Sequence, residues 1–128
     1  MIMIDRHLWI PSTAEGDPQD KMLYSISRIS KFCRTESCPF CKDVDLRFYY
    51  HEFRLRSKPG RRGTLWVWCS ECHRWTHLSG VVMKDIIVDT GTLSDEEIDR
   101  FEKSLRLLDW LNHYWEENRI PHTFSARH

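Results

Sequence analysis

The stretch WVWCSECHRW, residues 66–75, places three tryptophans, two cysteines and a histidine in ten positions. Its centre, Cys69-Ser70-Glu71-Cys72-His73, has three chemical readings: half of a metal site, a covalent haem attachment motif, or a redox-active dithiol. Haem attachment to such a motif ordinarily requires export. The N-terminal Met1-Ile2-Met3-Ile4 runs at once into Asp5, Arg6 and His7, without the basic and then apolar regions of a signal peptide. A thioredoxin-like dithiol opens a helix that follows a strand. Here the motif lies between two strand-like runs, which leaves the metal site.

The second half of such a site lies upstream, at Cys38-Pro39-Phe40-Cys41. A two-residue gap lets both sulfurs of one turn face a single ion, and the amides of that turn can point at the thiolates and share their charge. Two such turns brought together by a hairpin give a tetrahedral sulfur cage, which suits Zn2+. Pro39 helps to hold the first turn. The chain has 5 cysteines, an odd number that argues against a pure disulfide framework. Cys33, the one left over, either ends the preceding strand as a small buried hydrophobe or replaces Cys38 as a ligand. His73 and His77 are expected beside the site or on the surface rather than as ligands.

Around the cysteines the pattern is mostly extended. Met22 to Phe32, with Leu23, Ile29 and β-branched or aromatic neighbours, reads as a strand after a turn-rich loop at 11–18. Val44, Leu46, Phe48 and Tyr50 alternate with Asp45, Arg47 and Tyr49, a strand that continues toward Leu55. Thr64 to Trp68 forms its hairpin partner across a long basic tip, and Arg74 to Val82 is a third strand. Trp66 and Trp68 share one face, with Leu65 and Val67 on the other. The tryptophan face is expected to pack under the C-terminal helix, or to serve as a binding patch if it does not.

The C-terminal third changes period. Ser94 can cap a helix, Glu97 can reach back as the capping-box acid, and Leu93 can staple to Ile98. Ile98, Phe101, Leu105, Leu108, Leu111 and Trp115 then repeat at three- and four-residue spacing, which predicts one long helix over about 95–118. Pro121 stops it from continuing far.

The paired Cys-x-x-Cys knuckles resemble a zinc ribbon over about residues 33–78. The resemblance implies bound zinc held by Cys38, Cys41, Cys69 and Cys72, and a local β fold, but no particular activity. The expected whole is an α+β domain spanning 1–128, an antiparallel sheet built on the knuckles with one long helix packed against it.

Lys+Arg and Asp+Glu both number 19, so the formal net charge is zero and any electrostatic partner must be recognised by a local patch. No apolar run approaches the eighteen or so residues of a membrane helix, and a cytoplasmic location without membrane attachment is expected. A zinc shell filled by four cysteines has no open coordination position, and no glycine-rich phosphate loop, nucleophile elbow or His-Glu-x-x-His helix accompanies it. The expectation is a non-enzymatic protein.

Two surfaces are candidates for a partner. Arg54, Arg56, Lys58, Arg61 and Arg62 crowd the hairpin tip near aromatic residues, so a nucleic-acid-binding zinc ribbon is the alternative function. The acids Asp95, Glu96, Glu97 and Asp99 open the helix, and a basic end with acidic flanks suits guided protein docking. Residues 63–80, GTLWVWCSECHRWTHLSG, also resemble a segment of small bacterial proteins of polymorphic or contact-dependent toxin systems, which act as cognate immunity factors. That resemblance implies a protein-interaction module that binds and neutralises a toxin domain. The partner-binding candidates are Arg61, Trp66, Trp68, Asp95, Glu96, Glu97 and Asp99.

Overall fold

A computed structural model describes residues 4–11, 21–52, 62–82, 86–87 and 93–126. In chain order the elements are β1 (Ile10–Pro11), α1 (Lys21–Phe32), β2 (Arg47–Glu52), β3 (Arg62–Trp68), β4 (Arg74–Val82), β5 (Ile86–Ile87), α2 (Asp95–Lys103), α3 (Leu107–Glu116) and β6 (Ser125–Ala126). The main sheet has the order β1-β4-β3-β2, while β5 and β6 form a separate pair.

The alternation in β2 and β3 explains why this sheet carries a layer on each face. Phe48 pairs with Val67 and Tyr50 with Leu65, and these four residues are buried with Met22, Ile26 and Ile29 of α1. One residue out of phase, Tyr49 pairs with Trp66, and both join Trp68, Ile98, Phe101, Leu108 and Leu111 in a second core beneath α2 and α3. A strand buried on both faces needs apolar residues at every position, and the run Leu65-Trp66-Val67-Trp68 supplies them.

Three expectations are corrected. The segment from Met22 to Phe32 is a helix, because its buried positions Met22, Ser25, Ile26 and Ile29 fall at the three- and four-residue spacing of one helical face. A serine inside that stripe hides the period, and Leu23 is 41% exposed. Cys33 therefore ends a helix, not a strand. It has φ 57° and donates its N–H to the Ile29 carbonyl at 2.9 Å.

The sheet is mixed, not antiparallel. Ile10 and Pro11 run parallel to Arg74 and Trp75, and the Ile10 N–H reaches the His73 carbonyl at 2.8 Å.

The C-terminal helix is two short helices. At the end of α2 the Arg106 N–H bonds to the Phe101 carbonyl (2.9 Å) and the Leu105 N–H to the Glu102 carbonyl (3.0 Å). This is a Schellman stop with Leu105 at φ 60°. The stop turns the chain so that both helices lay apolar residues on the same sheet face. The expected capping box at the start of α2 is present, with Glu97 N–H donated to Ser94 Oγ at 3.1 Å and Ser94 N–H donated to Glu97 Oε1 at 3.2 Å.

Leu105 is 82% exposed and sits where a side chain is strained, so it loses little by being removed. Leu105→Gly should stabilise the protein by about 1 kcal/mol, read as a raised urea midpoint with unchanged slope. A lowered midpoint would mean that this stop is held by contacts of the leucine itself.

Candidate metal centre

The two knuckles meet at one end of the sheet. Cys69 and Cys72 flank the turn between β3 and β4, so the motif lies in a hairpin turn and not at a helix start, as a thioredoxin-like dithiol would. Cys38 and Cys41 lie between α1 and β2, held by an isolated bridge between Ser37 and Asp45.

The two turns are built alike. Cys38 N–H donates to the Val44 carbonyl and Cys69 N–H to the Arg74 carbonyl, both at 2.9 Å. Lys42 N–H returns to the Cys38 carbonyl (3.0 Å), as His73 N–H does to the Cys69 carbonyl (3.1 Å). The residue after each pair, Lys42 or His73, adopts φ 60° to close the turn.

Together these turns bring the four Sγ atoms within 4.8 Å of one another. Cys38 Sγ is 3.7 Å from Cys72 Sγ, and Cys41 Sγ is 3.5 Å from Cys69 Sγ. A tetrahedron with metal–sulfur bonds of about 2.3 Å has edges of about 3.8 Å, so these crossed pairs are spaced as two edges of a coordination shell. They are far longer than a disulfide bond. The four cysteines can hold a metal ion.

Their surroundings favour a cation. Cys69 Sγ accepts the N–H groups of Glu71 and Cys72, each at 3.4 Å. Burial pushes the Cys38 and Cys69 thiols up, and the Asp43 N–H draws the Cys41 thiol down. Thiols buried at Cys38 and Cys69 give up their protons readily only when a positive ion takes their place. Arg74 lies over the ring of Phe40, 4.3 Å from its centroid, and ties the first knuckle to β4 behind the second.

The histidines stand apart from the four sulfurs. His73 packs against His7 and Trp9 at ring separations of 4.8 and 5.0 Å, and His77 stacks on Trp75. Cys33 is not among the clustered thiols.

The partner candidates are dispersed. Trp66 (5% exposed) and Trp68 (0%) lie under the two C-terminal helices, which leaves little of either ring for a partner. Trp68 Nε1 donates to Asn112 Oδ1 at 2.9 Å. Asp95 Oδ1 is hydrogen-bonded to Nε2 of the buried His51 at 2.7 Å, and Glu97 serves the capping box. Asp99 is half-buried and Glu96 is exposed. Arg61, with Arg54, Arg56 and Lys58, lies outside the described residues, and Arg62 begins β3.

Two features escaped the sequence reading. Asp109, the acid in the first turn of α3, is an anchor for the N-terminal segment. The phase of Trp75, His77 and Ser79 in β4, shared with Trp66, was the available signal for an aromatic strip on one sheet face.

Comparison of the chain with protein-family models, with curated proteins and with solved structures returns no match. Among the described residues no helix is long and apolar enough to cross a membrane.

Proposed function

We propose that Cys38, Cys41, Cys69 and Cys72 bind one Zn2+ as a structural ion, and that the chain is a non-enzymatic module acting by binding a protein. The observation that carries this reading is the crossed pairing of four sulfurs at tetrahedral spacing. Four protein ligands complete a zinc shell, so the ion has no position at which to activate water and serves to join the two knuckles. The likeness of residues 63–80 to immunity factors supports a protein partner, specifically a toxin domain neutralised one to one. Glu96 on α2 is the exposed acid of the candidate set and could steer a basic partner.

Elemental analysis of purified, reduced protein should give one zinc per chain and no iron. Folded protein without metal, or with iron in its place, rejects the zinc assignment. Co-expression with the product of a neighbouring toxin gene should restore growth, and the two chains should co-purify at one to one. Protection at substoichiometric amounts, through turnover of a substrate, would make the protein an enzyme instead.

A further inference from the structure

On the helix side of the sheet, α2 and α3 cover the β2 and β3 residues Tyr49, Trp66 and Trp68. The adjoining strip of β4 contributes Trp75, His77 and Ser79 to a cleft of about 640 Å³. Its floor also includes Thr64, the cross-strand partner of Ser79, and Trp66, the partner of His77. One wall is the turn between α2 and α3, with Leu105, Leu107 and Leu108, and the other is the N-terminal segment, with Trp9.

This size lies within the range of about 300–1,000 Å³ typical of small-molecule sites. The surfaces are suited to a flat ring. Trp75 and His77 lie nearly parallel, 21° apart with centroids 5.8 Å apart, and form a π surface along β4. Leu105, Leu107 and Leu108 add apolar surface to the same cleft. The hydroxyls of Thr64 and Ser79 can meet the polar edge of a ring.

The Trp9 wall is fixed in advance, because its Nε1 donates to the buried Asp109 at 2.8 Å. Pre-ordering of this kind lowers the entropic cost of binding. Among the described lining residues the full charges are Arg6 and Glu102, one of each sign. No cluster of cations is present in that set to hold a phosphate, nor an excess of acids to hold a quaternary ammonium.

We propose that this cleft binds an uncharged planar heteroaromatic compound of nucleobase size. The ring would lie against Trp75 and His77, with its polar edge toward Thr64 and Ser79. The site is separate from the four cysteines and does not depend on a protein partner.

The test is titration of the full-length protein, as purified, with adenine, indole and cyclohexanol, followed by calorimetry and by the indole N–H resonances of the tryptophans. Adenine should bind saturably, more tightly than indole and at least tenfold more tightly than cyclohexanol. Trp75→Ala should weaken adenine binding about tenfold, the effect of losing one base–aromatic stack. His77→Ala, at an exposed position that leaves the fold intact, should weaken it about threefold or more. Tyr24→Ser, on the outer side of α1, should leave it unchanged, and the unfolding midpoint of each variant confirms folding.

Indole binding more tightly than adenine would reject the polar-edge assignment. Cyclohexanol binding as well as the rings, or no saturation with adenine up to 5 mM, overturns the site. Unchanged affinity in folded His77→Ala and Trp75→Ala does the same.

Discussion

Replacing Cys69 with serine should leave the chain unfolded at 25 °C. A structural zinc site contributes about 10–16 kcal/mol of apparent binding free energy, as large as or larger than the roughly 5–15 kcal/mol that separates a typical domain from its unfolded state. Cys69 makes the clearest case among the four thiols. It is fully buried, its sulfur lies 3.5 Å from Cys41 Sγ, and that sulfur receives two backbone N–H groups of its own turn. Serine can still accept from those two donors but supplies no thiolate.

If the four thiols were merely a buried apolar cluster, the same substitution would cost about 1–3 kcal/mol for a hydroxyl in a dry site, and the protein would still fold. The two accounts thus differ by several kcal/mol. Cys33→Ser is the internal control. Cys33 is half-buried at the end of α1, its sulfur lies 3.8 Å from the Ser30 carbonyl, and it is outside the cluster. Its loss should cost less than about 1 kcal/mol. Far-UV circular dichroism and urea titration of both variants, with wild type treated with a strong chelator, read the difference. A cooperative unfolding transition in Cys69→Ser equal to that of untreated wild type would reject a structural metal.

The knuckles were legible because their chemistry is local: spacing within each pair, a hairpin between them, and amides directed at sulfur all follow from a few adjacent residues. The strands beside them were legible because Val44, Leu46, Phe48 and Tyr50 alternate with Asp45, Arg47 and Tyr49. Leu65-Trp66-Val67-Trp68 is likewise the unbroken apolar run of a strand covered on both faces. Where tertiary context overrode the local pattern, reading failed. Ser25 occupies an apolar helical stripe, so α1 showed Leu23, Tyr24 and β-branched residues more clearly than its period. The break between α2 and α3 falls at Leu105, with neither glycine nor proline to announce it, and Leu105 even fits the apolar repeat. The parallel pairing of Ile10 and Pro11 with β4 joins segments more than sixty residues apart and leaves no local trace. The cleft beside Trp75 depends on that same pairing, so the sequence contained its floor but not its walls.

Asp109→Ala should cost about 3–5 kcal/mol and free the N-terminal segment. The Asp109 side chain is 1% exposed and meets three donors: His7 N–H at 3.0 Å, Trp9 Nε1 at 2.8 Å and Arg106 Nε at 3.3 Å. Arg106 also donates to the Ile4 carbonyl at 3.0 Å, so acid and guanidinium together hold both ends of the segment from Ile4 to Trp9. Removing the buried acid leaves the His7 N–H and the Trp9 Nε1 without their acceptor, and each polar group so stranded costs about 1–3 kcal/mol. It also takes the counter-charge from Arg106, whose side chain is 28% exposed and keeps the Ile4 carbonyl.

Arg28 and Glu36 give the contrast. Their closest approach is shorter, 2.6 Å, but the Arg28 side chain is 50% exposed, so water screens the pair and its worth is at most about 1 kcal/mol. The Arg28 hydrogen bond holds the Glu36 carboxyl below its ordinary range. That small contribution is therefore present above the unfolded pKa of about 4.3 and is lost as pH falls through the lower folded value.

Burial, not distance, ranks the two pairs, and Glu36→Ala should shift stability by less than about a third of the Asp109→Ala effect. The readout specific to the N-terminal segment is hydrogen exchange at Ile10, whose N–H is bonded to the His73 carbonyl. In Asp109→Ala this amide should lose more protection than the global destabilisation accounts for, while amides in the β2–β3 ladder, such as Tyr50 and Leu65, should speed up only in proportion to it. A double-mutant cycle with Trp9→Phe, which deletes the Nε1 donor, should show coupling of about 1 kcal/mol or more. Additive losses, with Ile10 still protected in Asp109→Ala, would mean that β1 is held by its strand pairing and that Asp109 does not anchor it.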